Sequence, residues 1–106
     1  MIAQATSGWT ALADPTRRAV FEMLIERPCA VSELARALPV SRPAVSQHLK
    51  VLKGAGLVLD IQSGKQRIYR VDGQGLAKFR AELDRFWSKT LAGYKLAAER
   101  PPKEKS

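Results

Sequence analysis

Two short helix patterns separated by three residues, followed at once by a change to strand periodicity, constrain this chain more than any other feature of its sequence. In VSELARALP, residues 31–39, Leu34 and Leu38 point inward, Ser32 offers a cap and Pro39 stops the helix. After the gap PVS, residues 39–41, a second helix opens at Ser41. It tolerates Pro43 in its first turn, where a missing N–H costs nothing. Val45, Leu49 and Leu52 follow at i, i+4 and i+7 and form a narrow apolar ridge that must face a core. Gly54-Ala55-Gly56 supplies a helix stop. The period then becomes two: LVLDIQ alternates Leu57, Leu59 and Ile61 against Val58, Asp60 and Gln62. SGKQ has turn chemistry, RIYRV favours a strand, and Asp72-Gly73 closes the hairpin.

The rest of the chain is helical in pattern. Asp14 can cap and Pro15 can start a helix, PTRRAVFEMLIE, with Val20, Phe21 and Leu24 on one side and an end near Glu26. A brief helix is expected upstream, around Trp9 to Leu12. The last helix spans roughly residues 75 to 98. Its stripe comprises Leu76, Phe79, Leu83, Phe86, Trp87, Leu91 and Tyr94, with Arg80 intruding. RPPKEKS is a polar tail expected to be disordered. The expected fold class is mainly α with a β-hairpin wing (α+β). Residues 1–99 form one domain and 100–106 a tail.

A chain of 106 residues suits one core. With 18 Lys+Arg against 10 Asp+Glu it carries +8 and a pI near 10.2, an excess that points to a polyanion, nucleic acid before an anionic membrane. The opening MIAQATSGWT lacks the features of a secretory signal, and no run suits a bilayer span. The single cysteine, Cys29, can form no internal disulfide, in keeping with a reducing cytoplasm.

The charge is concentrated. From Ser41 to Arg70, six basic residues stand against Asp60 alone, a net +5. Opposite the ridge of the second helix lie Pro43, Gln47 and Lys50, flanked by Arg42, Ser46 and Lys53, a face without a carboxylate. A merely solvated face usually mixes signs at i, i+4. Lys and Arg attract phosphates regardless of sequence, and Gln can bond a base edge in two places. The three-residue gap is the length of the turn in a helix-turn-helix, whose second helix suits a major groove. Arg42, Ser46 and Gln47 are expected to read bases or steer the helix end, with Ser41, His48, Lys50 and Lys53 on phosphates or adjacent edges. Lys65, Gln66 and Arg67 form the tip of the wing.

ALADPTRRAVFEMLIE, VSELARALPVSRPAVSQHLKVLKGAGLV and the wing SGKQRIYRV resemble the ArsR/SmtB family of winged helix-turn-helix repressors from about Leu12 to Val71. Ser41, Pro43, Ser46, His48, Leu49 and Leu52 carry its S-x-P-x-x-S-x-H-L-x-x-L pattern. The resemblance implies a homodimer paired through terminal helices, two recognition helices in successive major grooves of an inverted-repeat operator, and repression relieved by an effector of unknown nature. The aromatic-rich stripe agrees with pairing, being more apolar surface than a small winged core readily covers. Trp9 is expected to join the dimerisation residues.

The family's metal sites are not reproduced. Where relatives place C-x-C before an Asp/Glu-Leu pair, this chain has Ala30 and Ser32, with Cys29 one position off. Residues 75–98 contain no histidine for the family's second site. No metal and no cofactor is therefore expected. His48 has no nucleophile or carboxylate relay beside it, so an enzyme is not expected. The expected function is a sequence-specific regulator of double-stranded DNA in a bacterial or archaeal cytoplasm. The alternatives are a non-specific architectural DNA-binding protein and a metal- or redox-responsive repressor using an unusual site at Cys29.

Overall fold

In the computed structural model, which describes residues 7–100, the order is α1 (Gly8–Ala13), α2 (Pro15–Glu26), β1 (Cys29–Ala30), α3 (Val31–Ala37), α4 (Arg42–Gly54), β2 (Val58–Ser63), β3 (Gln66–Val71) and α5 (Gly73–Glu99). Side chains open most of the helices. Ser7 Oγ accepts the Thr10 amide at 3.2 Å, Asp14 Oδ2 the Arg17 amide at 2.8 Å, and Ser41 Oγ the Ala44 amide at 3.2 Å. Each occupies a free donor of a first turn, as short polar side chains at that position do.

The start of α3 departs from expectation. Ser32 is not its cap; the helix starts at Val31, and the capping position is Ala30, which has no polar side chain. Glu33 reaches back instead, accepting the Ala30 amide at 2.8 Å and the Arg27 guanidinium at 3.2 Å. The reason is β1, which the sequence reading did not anticipate. Cys29 and Ala30 pair with Tyr69 and Ile68, so the chain turns into α3 directly from a strand. Leu34 is fully buried, whereas Leu38, past the last helical residue, is only half-buried.

The sheet is antiparallel in the order β1-β3-β2. The hairpin pairs Val58 with Val71 at its base and Ser63 with Gln66 at its tip. Gly64 has φ +62° and no non-glycine residue among those described has a positive φ. That combination gives the two-residue loop Gly64-Lys65 the type II′ form suited to twisted strands.

The chain divides into two units, Met1–Leu76 and Ala77–Ser106. Among the described residues the buried apolar side chains all lie in the first: Ala11, Val20, Phe21, Leu24, Cys29, Ala30, Leu34, Val45, Leu49, Leu52, Leu57 and Val58. The α4 terminus joins this core through a hydrogen-bonded reversal. The Gly56 amide bonds the Lys53 carbonyl at 2.9 Å and the Leu57 amide the Leu52 carbonyl at 3.0 Å, with Gly56 at φ +79°. Leu52 and Leu57 are both fully buried at this end, the apolar pair that accompanies such a stop. The described part of the second unit is helical through Glu99, and no residue of α5 is buried. An exposed pair, Arg80 with Asp84 at 3.8 Å, spans one turn of it. Residues 101–106, most of the tail expected to be disordered, lie outside the described residues, as do residues 1–6.

Candidate nucleic-acid interface

Helix α4 is held by Val45, Leu49 and Leu52, each with no exposed surface. Burying three aliphatic side chains contributes about 1.5–3 kcal/mol apiece, which fixes the rotation of the helix about its own axis. The opposite side is thereby committed to solvent. Arg42, Pro43, Ser46, Gln47, Lys50 and Lys53 are all exposed, as is Ser41 at the cap, and no acid lies among them. The wing brings Lys65, Gln66 and Arg67 to the hairpin tip, also exposed. There the Gln62 side-chain amide braces the turn by donating to the Gly64 carbonyl at 2.9 Å.

His48 is half-buried, and its Nδ1 lies 3.3 Å from a guanidinium nitrogen of Arg17 on α2. Arg17 is itself fixed, its Nε donating to the Ala11 carbonyl at 2.7 Å. A guanidinium has donors only, so in this contact Nδ1 is the acceptor, the role it has in the Nε2–H tautomer. No buried side-chain nitrogen or oxygen among the described residues lacks a partner. Nε2, for which no partner is seen among the described residues, is therefore not sealed from solvent. The hydrogen bond from the Arg17 amide, ahead of the attraction of the Arg17 guanidinium, holds the Asp14 carboxyl below its ordinary range. One acid thus anchors the start of the helix from which His48 is oriented.

One of the expected phosphate contacts, Lys53, and one residue of the expected wing, Arg67, are already engaged. Lys53 Nζ lies 2.8 Å from Asp60 Oδ1, and an Arg67 guanidinium nitrogen lies 2.8 Å from Asp60 Oδ2. The Asp60 side chain is only 6% exposed, while those of Lys53 and Arg67 are more than half exposed. Burial along β2 runs against its hydrophobic alternation, since Asp60 is covered and Ile61 is 50% exposed. In the sequence Asp60 stands out only as a lone acid among basic residues. A signal was present: in the register set by the Gly64-Lys65 loop, Asp60 faces Tyr69 and lies diagonal to Arg67 on the same side of the hairpin.

The expected dimerisation residues fall on both units. Trp9 is on α1 and Leu76 ends the first unit. Phe79 and Leu83 are half-buried, and Phe86, Trp87, Leu91 and Tyr94 are exposed along the second. The Phe86 and Trp87 rings meet edge to face with centroids 6.3 Å apart. Cys29 is fully buried, its thiol 3.5 Å from the Arg27 carbonyl oxygen, and burial pushes its pKa up. A protonated, shielded thiol is a poor nucleophile and a poor metal ligand. Among the described residues no three His, Cys, Asp or Glu side chains converge as a metal site would need, and no helix is long and apolar enough to cross a membrane.

Residues 12–61 match the model of a helix-turn-helix domain. The chain is 63% identical over 86 residues to the HTH-type transcriptional regulator Rv2034 of Mycobacterium tuberculosis, covering 81% of this chain and 80% of that protein. It is 48% identical over 67 residues to the HTH-type transcriptional repressor SmtB of the same species, covering 63% of this chain and half the length of that relative. Among solved structures, an ArsR-like transcriptional regulator from Rhodococcus sp. RHA1 superposes with a TM-score of 0.70 at 37% identity, over 86% of this chain and 89% of that one. A homodimeric winged helix-turn-helix DNA-binding domain from Mycobacterium bovis, a possible ArsR-family regulator, gives a TM-score of 0.60 at 28% identity, over 74% of this chain and 73% of that one. The helix pair, the wing and the long last helix, together with these likenesses, identify a DNA-binding regulator rather than an enzyme: the chain belongs to the ArsR/SmtB family of winged helix-turn-helix transcriptional regulators.

Proposed function

We propose that the protein is a sequence-specific repressor that acts as a homodimer on an inverted-repeat operator, with α4 in the major groove and the hairpin tip over the adjacent backbone. The observation that carries this reading is the exposed, acid-free side of α4, opposite three residues with no exposed surface. Side chains on that side divide by chemistry. Gln47, Ser46 and Arg42 present hydrogen-bonding groups to base edges, and Lys50 and Lys65 present charges to phosphates. His48 adds an Nε2–H donor whose direction is set from behind by Arg17. In a dimer the two α4 helices would meet major grooves one helical turn apart, so the site would be a palindrome with half-sites about 10 bp between centres.

Pairing through α5 supports the symmetric reading. Trp87, Leu91 and Tyr94 are 54%, 55% and 70% exposed, and such surface on one helix suits a self-complementary, two-fold interface. The homodimeric relative from Mycobacterium bovis lends the same weight.

Selection of bound duplexes from a random pool, with the mass of the protein in solution measured alongside, tests the proposal. A palindromic consensus bound by a dimer is the expected result. Equal recovery of all sequences would mark an architectural DNA-binding protein instead, and a monomer on a single half-site would remove the inverted repeat.

A further inference from the structure

We infer that Asp60 is a specificity-determining positioning residue, an internal stand-in for phosphate that holds Lys53 and Arg67 at the junction of the recognition helix and the wing. The inference rests on the reading that α4 and the hairpin tip meet DNA. Asp60 is the only acid between Ser41 and Arg70, and it is placed where an acid is least expected, on a covered position of β2. Each of its oxygens takes a different cation at 2.8 Å. The two cations come from different elements, Lys53 from the last turn of α4 and Arg67 from β3. The carboxylate is therefore a bridge between the helix that reads bases and the strand that carries the wing tip.

Charge bookkeeping gives the bridge a functional meaning. Lys53 and Arg67 contribute two positive charges to the interface surface, and Asp60 cancels one while engaging both. Their hydrogen bonds, that of Lys53 first, hold the Asp60 carboxyl below its ordinary range, so it stays anionic wherever the protein meets DNA. A phosphate approaching either cation must compete with a carboxylate that is nearly buried and already in place. Cations held this way release few counterions from DNA, and they weaken attraction to any duplex regardless of sequence. The same bonds fix the offset between α4 and the wing, which favours duplexes whose groove matches that offset.

The test is the slope of log K against log salt for the full-length protein, on the duplex recovered by selection and on a random duplex. Each phosphate newly neutralised steepens the slope by about 0.9. Asp60→Asn frees both cations and is expected to steepen it by about 1–2 on both duplexes. That is about a 4- to 16-fold greater loss between roughly 50 and 200 mM salt. The preference for the selected duplex should fall at least about fivefold, while Asp60→Glu should keep most of it. A second comparison does not depend on Asp60→Asn folding. Lys65→Gln, at the wing tip, should flatten the slope by about 0.9, whereas Lys53→Gln should leave it within about 0.3 of the parent. Asp60→Asn with an unchanged or flatter slope, or equal flattening by Lys53→Gln and Lys65→Gln, would overturn the inference. If the parent protein bound no duplex, it is the reading of α4 and the wing that would have failed.

Discussion

Replacing Gly75 with alanine adds one methyl group to the first turn of α5, at a place where the fold has no room for it. A Cβ built there collides with the Gly56 carbonyl oxygen and lies 2.7 Å from its carbon, against about 3.5–4.0 Å for ordinary carbon contact. Neither partner yields easily. Gly75 donates its amide to Asp72 Oδ1 at 3.2 Å, and Gly56 is tied by its own amide to the end of α4. The two backbones must separate by more than about 1 Å, because the oxygen is nearer still, and overpacking of that kind costs about 1–3 kcal/mol, towards the upper end where the colliding atoms are backbone. Alanine recovers about 0.5–1 kcal/mol of helix preference over glycine. The net loss is about 1–2 kcal/mol, a fall in Tm of about 4–16 °C for a domain of this size. Gly54→Ala, in the last turn of α4 with no atom within 4 Å of the added carbon, carries only the gain and should raise Tm by about 2–8 °C. Thermal melts followed by circular dichroism at one fixed protein concentration measure both. Shifts of the same sign in the two variants would refute the steric reasoning.

Further outcomes follow from the same geometry. Asp14, Glu33 and Asp60 all have carboxyl pKa values lowered in the fold, by hydrogen bonds first from the Arg17 amide, the Ala30 amide and Lys53 respectively. A lowered folded value means stability that is present above the ordinary carboxyl range, about pH 4, and is lost as pH falls through the folded values. Urea unfolding should therefore show a midpoint that declines below about pH 4, and Asp60→Asn should have a shallower decline than the parent; equal declines would contradict the Asp60 assignment. The His48 imidazole should show the Nε2–H tautomer in a ¹⁵N–¹H correlation spectrum of the neutral form, and the Nδ1–H tautomer would contradict the hydrogen bond from Arg17. Leu91→Glu should weaken self-association by at least about thirtyfold in sedimentation experiments. Two half-exposed leucines lost from a symmetric interface remove about 2–3 kcal/mol; an unchanged dimer would place the interface elsewhere.

The parts of this fold legible in the sequence are those that repeat. Val45, Leu49 and Leu52 recur at helical spacing, and all three are fully buried, so the sequence alone identifies the outward side of α4. Ser41 and Asp14 cap because a short polar side chain before a helix has little else to do. The features missed lack a period. A strand of two residues, Cys29–Ala30, has no alternation to detect, and without β1 the sequence points to Ser32 as the cap of α3 rather than to the reach of Glu33. Asp60 was hidden for the opposite reason. Alternation along β2 favours Leu59 and Ile61 as the covered set, but a carboxylate with two cations in reach can take the covered side while Ile61 stays half-exposed. The bond between Arg17 and His48 joins residues 31 apart, which only the packing of α2 against α4 brings together.

Amide chemical shifts followed during titration with the selected duplex test the central claim most directly. The largest changes should fall at Arg42, Ser46, Gln47 and Lys50 on α4 and at Lys65 and Gln66 on the wing, with Val20, Phe21 and Leu34 in the core nearly still. Changes concentrated on α2 or along α5, with the outward side of α4 unmoved, would contradict it.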